Sequence, residues 1–477
     1  MNQYETVIGL EVHVELSTES KIFCGCSTKF GGSPNSNICP VCVGMPGAMP
    51  VLNKKVVEYA LAAAIALDCK INKNIIFDRK NYFYPDLPKG FQISQFYLPI
   101  AENGKITINT ENGVKIIGIR EIHIEEDAGK LVHDTAGNRS FIDFNRAGIP
   151  LIEIVSKPDI RSAAEAVAYL EKLKMIMTYL GVSDCKMQEG SLRVDINLSV
   201  RKAGDNRLGT RTEIKNLNSF KAVLRAIESE SKRQIELLKE GKEIIRETRR
   251  WDDSKNISIR MRTKEETQDY CYFIEPDLGP IEIFEDWIKE IKSSMPELRD
   301  EKIIRYQKEY KLSEYDARVL TSSKKIADLF EKTEDLCKMP KEVANWLMVE
   351  GMRVINEKGM DADELNVQPA GLSKLILMVE EGKINRTVAK EMFEKVFLEN
   401  IDPEEYVKEH NLGLISDENM LRDLVQAVLD ENPKSVSDYK SGKTKAFGFL
   451  VGQTMKAVKG QADPMLVNKI LTELLNG

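Results

Sequence analysis

The hydrophobic period of the chain changes near residue 293, and this change limits the fold more than any other feature. Before it, five segments alternate apolar and polar residues, the pattern of half-buried strands. These segments are residues 7–16, 116–124, 140–145, 192–200 and 210–215. Helical segments interrupt them without a regular strand–helix alternation. We therefore expect an antiparallel or mixed sheet in an α+β domain over residues 1–293.

Beyond residue 293 there is almost no strand pattern, and helical periods follow one another. A second boundary is expected between about residues 400 and 416. The sequence thus predicts a helical domain over residues 294–405 and a small all-helical tail over residues 406–477.

Composition and charge exclude some functions. The 477 residues include 68 basic and 75 acidic side chains, with a pI near 5.6, which disfavours a nucleic-acid binder that works by net charge alone. No apolar run of about 18 residues occurs, so we expect no membrane span. We also expect no secretion signal or transit peptide, and hence a cytoplasmic protein.

Four of the eight cysteines stand close together, at Cys24, Cys26, Cys39 and Cys42. Two close thiolate pairs on two turns can converge on one tetrahedral ion at about 2.3 Å. We predict a structural Zn²⁺ site over residues 24–42, because four thiolates leave no open coordination position. Four reduced free thiols and an iron–sulfur cluster are the alternatives. Clustered thiols with scattered single cysteines are typical of a reducing compartment.

The polar faces of the predicted strands are rich in carboxylates and imidazoles. They carry Glu11, His13, Glu15, Glu121, His123, Glu125, Glu126, Asp127, Asp143, Asn145, Arg193, Asp195, Asn197, Glu213 and Lys215. Neighbours on one face lie about 6.5–7 Å apart along a strand and about 4.8 Å apart between strands, so a divalent ion can bridge them. Oxygen ligands with an imidazole suit Mg²⁺ or Mn²⁺, and Arg and Lys on the same floor suit phosphate. A solvated face laced with ion pairs is the alternative.

A Pro-rich loop at residues 77–96 combines cations with aromatic rings, including Arg79, Lys80, Tyr82 and Lys89. This composition fits stacking plus phosphate contact, and it also fits an ordinary ordered loop.

The tail is the locally basic region of the sequence. Its segment SGKTK at 441–445 is not a P-loop, because that motif needs a Gly at position 437, which is Ser. A basic helix end with an apolar body suits a phosphate backbone, whereas a solvated Lys-rich face is the alternative. The lysines predicted to contact such a backbone are Lys443, Lys445, Lys456 and Lys459.

Several long stretches resemble the B-subunit family of the aspartyl/glutamyl-tRNA amidotransferases. They include YETVIGLEVHVEL, FDRKNYFYPDLPKGFQISQ, HIEEDAGK, DFNRAGIPLIEIVS, EGSLRVDINLSV, IKNLNSF and KAFGFLVGQTMKA. Because these stretches run from the first strand to the tail, the resemblance covers essentially the whole chain.

The resemblance implies an ATP-dependent carbon–nitrogen ligase that acts as a heterotrimer. Its A subunit would be an amidase, its B subunit this chain, and its third member a small C subunit. The amidase would release ammonia from glutamine. This chain would phosphorylate the side-chain carboxylate of Glu-tRNA(Gln) or Asp-tRNA(Asn), and ammonia would then displace phosphate. The resemblance also implies a glutamine-synthetase-like cradle for the first domain and a tail that binds the misacylated tRNA.

The same resemblance assigns roles to single residues. Mg²⁺ (or Mn²⁺) would be held by Glu11, His13 and one or both of Glu125 and Glu126, with Asp195 close by. Strand parity favours Glu125 unless a bulge intervenes, and the choice stays open. The expected ATP contacts are Arg79, Lys80, Tyr82, Lys89, Arg193, Lys215 and Asn216. A non-catalytic tRNA-binding scaffold and a stand-alone glutamine-synthetase-like ligase are the competing hypotheses.

Overall fold

The computed structural model describes residues 3–111, 113–134, 137, 139–263, 270–414, 418–458 and 461–476. The chain divides into two compact units, Met1–Leu298 and Arg299–Gly477. The strands lie in the first unit together with helices, which confirms the α+β class. The regular elements described in the second unit are all helices.

The described residues of the first unit form sixteen strands and four helices. The strands are β1 (Tyr4–Glu15), β2 (Lys70–Ile71), β3 (Asn74–Ile75), β4 (Asp78–Asn81), β5 (Phe91–Ser94), β6 (Ala101–Thr110), β7 (Gly113–Glu126), β8 (Lys130–His133), β9 (Ser140–Asp143), β10 (Pro150–Ser156), β11 (Leu192–Lys202), β12 (Thr212–Lys215), β13 (Glu247–Asp252), β14 (Ile257–Thr263), β15 (Phe273–Ile274) and β16 (Ile281–Glu282). The helices are α1 (Lys54–Ala66), α2 (Ala163–Leu180), α3 (Phe220–Lys239) and α4 (Glu285–Ser294).

Nine strands form one large sheet in the order β14-β13-β12-β11-β1-β10-β7-β6-β2. Its pairs are antiparallel except β12 and β13, which run parallel. Ile8, Leu10, Val12 and Val14 of β1 are buried on one side and belong to a core that also contains the apolar faces of α1, α2 and α3. Since side chains alternate along a strand, Glu11 and His13 lie on the other, polar side of the sheet.

Strand β10 was not predicted, although it lies at the centre of the sheet between β1 and β7. Its sequence PLIEIVS is almost continuously apolar, so it lacks the alternation that marked the other strands. Conversely, the predicted strand at 140–145 pairs only as β9 with β8 in a separate two-stranded sheet. Asp143 and Asn145 therefore do not belong to the polar side of the large sheet.

The second unit consists of short helices around two apolar clusters. Its helices are α5 (Arg299–Glu309), α6 (Glu314–Leu320), α7 (Lys324–Cys337), α8 (Pro340–Trp346), a π-helical turn (Leu347–Gly351), α9 (Met352–Lys358), a 3₁₀ turn (Ala362–Glu364), α10 (Pro369–Glu380), α11 (Arg386–Glu399), α12 (Pro403–His410), α13 (Glu418–Glu431), α14 (Pro433–Lys440), α15 (Lys445–Ala457) and α16 (Pro464–Asn476). Val407 of α12 packs in the first of these clusters, and Leu421 of α13 packs in the second. The change from one cluster to the next thus comes after α12. No helix in the described part of the chain has the length and apolarity needed to cross a membrane.

Candidate active site and metal centres

The polar side of the large sheet, which we call the open face, carries two groups of side chains that can bind metal ions. Within each group the ligand atoms all lie within 4.8 Å of one another. The His13 group is His13, Glu125 and Glu153, and the Glu11 group is Glu11, Asp195 and Glu213. These residues come from five neighbouring strands of the sheet, β7, β10, β1, β11 and β12.

Strand register assembles the His13 group. His13 lies opposite Glu153, which in turn lies opposite His123. The Nε2 atom of His13 is 3.4 Å from Oε1 of Glu125 and 3.5 Å from Oε2 of Glu153. Neighbouring ligands of an octahedral Mg²⁺ ion with bonds of 2.0–2.1 Å are about 3 Å apart, so these three atoms fit around one such ion.

The charges in and around the His13 group are strongly coupled. Burial opposes a charged imidazole at His123, but the Glu153 and Glu125 carboxylates raise its pKa to about 10. Burial likewise opposes ionised Glu125 and Glu153, but His123 and His13 hold the pKa of both carboxyls below their usual range. Both carboxylates are therefore kept in the ionised form that binds a cation.

The Glu11 group contains more negative than positive charge. Glu11 lies opposite Asp195 across β1 and β11. The Nζ atom of Lys215 is 2.5 Å from Oδ2 of Asp195 and 3.1 Å from Oε1 of Glu213, so one lysine serves two carboxylates. Burial and the nearby Glu153 carboxylate raise the pKa of Glu11. A divalent cation beside Glu11 would offset this repulsion.

Glu125 and Glu126 make contacts in different surroundings. Oε1 of Glu126 accepts hydrogen bonds from the Lys89 ammonium and, at 2.8 Å, from the backbone N–H of Ile93. The structure thus brings Glu125 to His13 and leaves both Glu126 and Lys89 outside that group. This is the arrangement that strand parity favours.

A β-bulge adds a cation to the open face. Val155 lies opposite Glu121 but Ser156 lies opposite Ile119, so Arg120 is the extra residue of β7. The bulge shifts the alternation by one residue, and Arg120 is exposed beside Glu121, with which it pairs at 2.7 Å. Strict alternation would have placed this arginine on the core side of the strand.

Arg120 lines a pocket that we call the arginine pocket, which has a cavity volume of about 200 Å³. Its wall contains Glu11 of the Glu11 group, Arg120 and Arg211. The loop before β12 forms one side, and Gly209 lets it lie close to β11, since a Cβ there would stand 2.1 Å from the Val200 carbonyl oxygen. Two guanidinium groups beside a carboxylate of the Glu11 group suit a phosphorylated ligand.

The other predicted ATP contacts fall into two sets. The ammonium of Lys80 lies over the rings of Tyr82 and Tyr270. Arg193 donates to Asp127 at 3.0 Å and lies opposite His13 in the register of β1 and β11. Arg79 and Asn216 are engaged elsewhere. Arg79 pairs with Glu275 and Asp277 at 2.7 and 3.2 Å. Asn216 has a positive φ of 68° and donates to the Trp251 carbonyl at 3.0 Å.

The four clustered cysteines converge, and we call residues 24–42 the knuckle. The Sγ atoms of Cys24, Cys26, Cys39 and Cys42 all lie within 4.8 Å of one another, and those of Cys39 and Cys42 are 3.9 Å apart. Tetrahedral Zn–S bonds of about 2.3 Å place sulfur atoms about 3.8 Å apart. A hydrogen bond from the Cys24 thiol lowers the pKa of Cys42 to about 4 although burial opposes it. The donor set and its spacing therefore fit Zn²⁺.

Asp143 and Asn145 hold the knuckle in place. The Asn35 N–H donates to Oδ1 of Asp143 at 3.0 Å, and the Asn37 N–H donates to Oδ1 of Asn145 at 2.9 Å. In return, the Asn145 amide donates to the Ser33 carbonyl at 2.7 Å. The motif DFNR thus positions the long loop between the two cysteine pairs, which is a structural role.

Three of the four predicted tRNA-binding lysines are described, and Lys459 lies outside the described residues. Lys443 pairs with Asp438 at 2.8 Å. Lys445 and Lys456 are exposed on α15, as are Gly448 and Gly452. At 100° per residue, these two lysines and two glycines fall within one arc of about 80° around the helix. They form a single exposed stripe whose centre carries no side chains.

Sequence reasoning missed several residues of the site. Glu153 and the arginines Arg120 and Arg211 were not proposed, and His123 and Glu213 were noticed on polar faces but given no role. The one charged residue inside the apolar run PLIEIVS is a signal that could have revealed Glu153. Nothing in the sequence marks the bulge that exposes Arg120.

Comparison with known proteins places the whole chain in one family. Residues 6–289 match the GatB/GatE catalytic domain, and residues 328–475 match the GatB domain. A protein of Lachnoclostridium phytofermentans, the B subunit of the aspartyl/glutamyl-tRNA(Asn/Gln) amidotransferase, is 63% identical over 100% of both chains. Proteins of the same description from Agathobacter rectalis and Lachnospira eligens are 59% and 56% identical, again over 100% of both chains.

These matches define the class first: the chain has a GatB/GatE catalytic domain followed by a GatB domain. More narrowly, it belongs to the B-subunit family of the aspartyl/glutamyl-tRNA(Asn/Gln) amidotransferases. The resemblance drawn from the sequence motifs is thereby confirmed.

Proposed function

We propose that this chain is the amide-forming component of a tRNA-dependent amidotransferase, and that the open face is its active site. Family membership gives the reaction in outline, the amidation of Glu or Asp carried by tRNA. The observation that supports the active site most strongly is the pair of cation-binding groups beside the arginine pocket. In the proposed chemistry, a side-chain carboxylate oxygen attacks the γ-phosphorus of ATP and ADP leaves. Ammonia then attacks the acyl carbon and phosphate leaves.

The His13 group and the Glu11 group are proposed to hold Mg²⁺ or Mn²⁺. Such an ion, when bound, offsets the repulsion between the substrate carboxylate and the phosphates. The chain's own part is to keep the ligands ionised and in place: His123 bonds Glu153, and Lys215 holds Asp195 and Glu213 together. Glu126 is not included in this proposal, because its carboxylate is paired with Lys89.

The arginine pocket is proposed to bind ATP, with its phosphates between Arg120, Arg211 and Glu11. Val7, Leu208 and Pro158 supply apolar surface at the same pocket for the nucleoside. Of the ATP contacts predicted from the sequence, we retain four. Arg193 and Lys215 lie on the open face, and Lys80 and Tyr82 interact electrostatically with its carboxylates Glu153 and Glu125.

The knuckle is proposed to bind Zn²⁺ in a structural role, because its donors are four sulfur atoms and leave no position for substrate. The exposed stripe of Lys445, Gly448, Gly452 and Lys456 is proposed to contact the tRNA backbone, since glycines allow close approach beside two lysines. The likeness of the first unit to glutamine synthetase, the partners (an amidase as the A subunit, with a small C subunit) and the cytoplasmic location stay predictions from the sequence.

The test is an amidation assay on the chain co-expressed with its partner proteins, using misacylated tRNA, glutamine and ATP. We expect His13→Ala to abolish amide transfer while glutaminase activity persists, because the lost ligand belongs to the amide-forming site. His133→Ala is the matched control, since His133 is exposed and bonds Ser140 on the separate β8–β9 sheet. Full amide transfer by the His13 variant would exclude the open face as the active site. Glu-tRNA and Asp-tRNA are assayed separately, which identifies the substrate.

A further inference from the structure

Lys21 is a buried cation that has no acidic partner in the described part of the chain. Its side chain is 0% exposed, and its Nζ atom donates to the carbonyls of Asn37, at 2.8 Å, and Phe144, at 3.4 Å. Among the described lysines only Lys302 is also buried, and it pairs with Glu331 at 2.6 Å. A buried ammonium is costly unless a negative charge compensates it. The surroundings of Lys21 must therefore supply one.

A carboxylate close to Lys21 is already neutralised. Glu126 lines the same cavity as Lys21, but it is paired with Lys89 and accepts the Ile93 N–H. Among the described residues no carboxylate lies within ion-pair distance of the Lys21 ammonium. The other carboxylates that line this cavity, Glu275 and Asp277, are paired with Arg79. The sulfur atoms of the knuckle therefore remain as candidates for the negative charge.

Lys21 lies directly against the knuckle. Its backbone N–H donates to the Cys26 carbonyl at 2.9 Å. A Cβ placed on Gly148 would stand 3.5 Å from Cβ of Cys42, 3.6 Å from Cδ of Lys21 and 3.9 Å from Oε2 of Glu126, so all three side chains flank the same point. The side chain of Lys21 then ties Asn37, inside the knuckle, to Phe144, in the segment that anchors the knuckle.

We propose that Lys21 is the built-in countercharge of the cysteine metal centre. Four thiolates around one Zn²⁺ ion carry a net charge of −2, and the ammonium of Lys21 offsets one of these charges from within the protein. Lys21 is thus a positioning and charge-balancing residue and not a ligand. The inference rests on the proposed Zn²⁺ site, since four neutral thiols would leave the lysine uncompensated.

The proposal predicts an asymmetric effect of Lys21→Met. In the zinc-loaded chain the substitution removes the countercharge, whereas in the zinc-free chain it removes a buried charge that has no partner. We expect zinc affinity, measured by chelator competition on the full-length chain, to fall about 10- to 100-fold, the usual effect of removing a group that supports metal ligands. The thermal midpoint should fall more in the zinc-loaded chain than in the zinc-free chain. Lys29→Met is the matched control, because Lys29 is an exposed lysine of the same knuckle.

Lys21→Gln separates the effect of the charge from that of the hydrogen bonds, because the glutamine amide is neutral but can still donate to a carbonyl. A loss of zinc affinity in both Lys21 variants, with the Lys29 control unchanged, supports the countercharge, and the Gln variant decides if the Met variant does not fold. The proposal is overturned if zinc affinity is unchanged and thermal stability falls equally in the zinc-loaded and zinc-free chains. Lys21 would then only link the Asn37 and Phe144 carbonyls. If the wild-type chain binds no zinc, the metal site itself is wrong and the role of Lys21 falls with it. If zinc binds tightly but ignores Lys21, only the countercharge is wrong.

Discussion

The open face and the knuckle are both proposed to hold metal ions, but their own side chains supply different amounts of positive charge. The open face gathers His13, Glu125 and Glu153 from strands far apart in sequence, and His123 and Lys215 already supply positive charge. The knuckle gathers four sulfur atoms within 19 residues, with Lys21 as the neighbouring cation. The open face is therefore expected to fold without metal and to exchange its ions, whereas the knuckle is expected to need its ion for folding.

The largest expected effect comes from the two neighbouring glutamates of β7. Glu125→Gln removes a proposed metal ligand of the His13 group and should lower amide transfer about 10³-fold, the effect of losing several kcal/mol of charge stabilisation. Its Mn²⁺ affinity, measured by electron paramagnetic resonance on the assembled complex, should fall at least about 10-fold. Glu126→Gln is the control and should change Mn²⁺ affinity less than about 3-fold, because Glu126 bonds Lys89. Equal loss in both variants would show that the ion is shared between the two carboxylates.

Removing the proposed Zn²⁺ ion from the knuckle tests whether the knuckle needs its metal for folding. Cys39→Ser should release zinc and lower the thermal midpoint of the chain by about 5 °C or more, because a structural metal contributes folding free energy. Mn²⁺ affinity of the open face should change little in the same variant. Cys185→Ser is a suitable control, since Cys185 is buried away from the cluster. A stable, zinc-free Cys39 variant would mean that the knuckle does not depend on metal.

Arg120 tests whether the arginine pocket belongs to the active site. Arg120→Met and Arg211→Met should each raise the KM for ATP about 10- to 100-fold, the effect of losing a hydrogen bond to a charged group. The glutaminase rate is the internal control and should not change. A normal KM for ATP in both variants would mean that the nucleotide binds at another part of the open face and not in the arginine pocket.

The smallest expected effect is at the tail. The double variant Lys445→Ala and Lys456→Ala should weaken tRNA binding several-fold and reduce the slope of log affinity against log salt by about 1.8, because each phosphate contact contributes about 0.9. Lys443 is paired with Asp438, so Lys443→Ala should change the slope less. An unchanged slope in the double variant would exclude the α15 stripe from the tRNA interface.

How far the sequence predicts each site follows from how its residues are arranged along the chain. The cysteines are local, so their spacing alone predicts that they converge, and Glu11 and His13 are visible because β1 alternates. Glu153 depends on β10, a buried strand without alternation, and Arg120 depends on a bulge that only strand pairing creates. Likewise the αL turn at Asn216 and the ion pairs of Arg79 are products of tertiary structure. Local chemistry is thus predictable, whereas strand register and its irregularities are not.

The most direct test of the comparison is to locate the bound ions in a crystal of the assembled complex grown with MnCl₂, by anomalous scattering at the Mn and Zn edges. We predict a Mn peak bounded by Nε2 of His13 and the carboxylates of Glu125 and Glu153, and a Zn peak between the four cysteine sulfurs that Mn does not displace. The absence of Mn from the His13 group, or Mn in place of Zn at the cysteines, would contradict the division between an exchangeable site on the open face and a closed one in the knuckle.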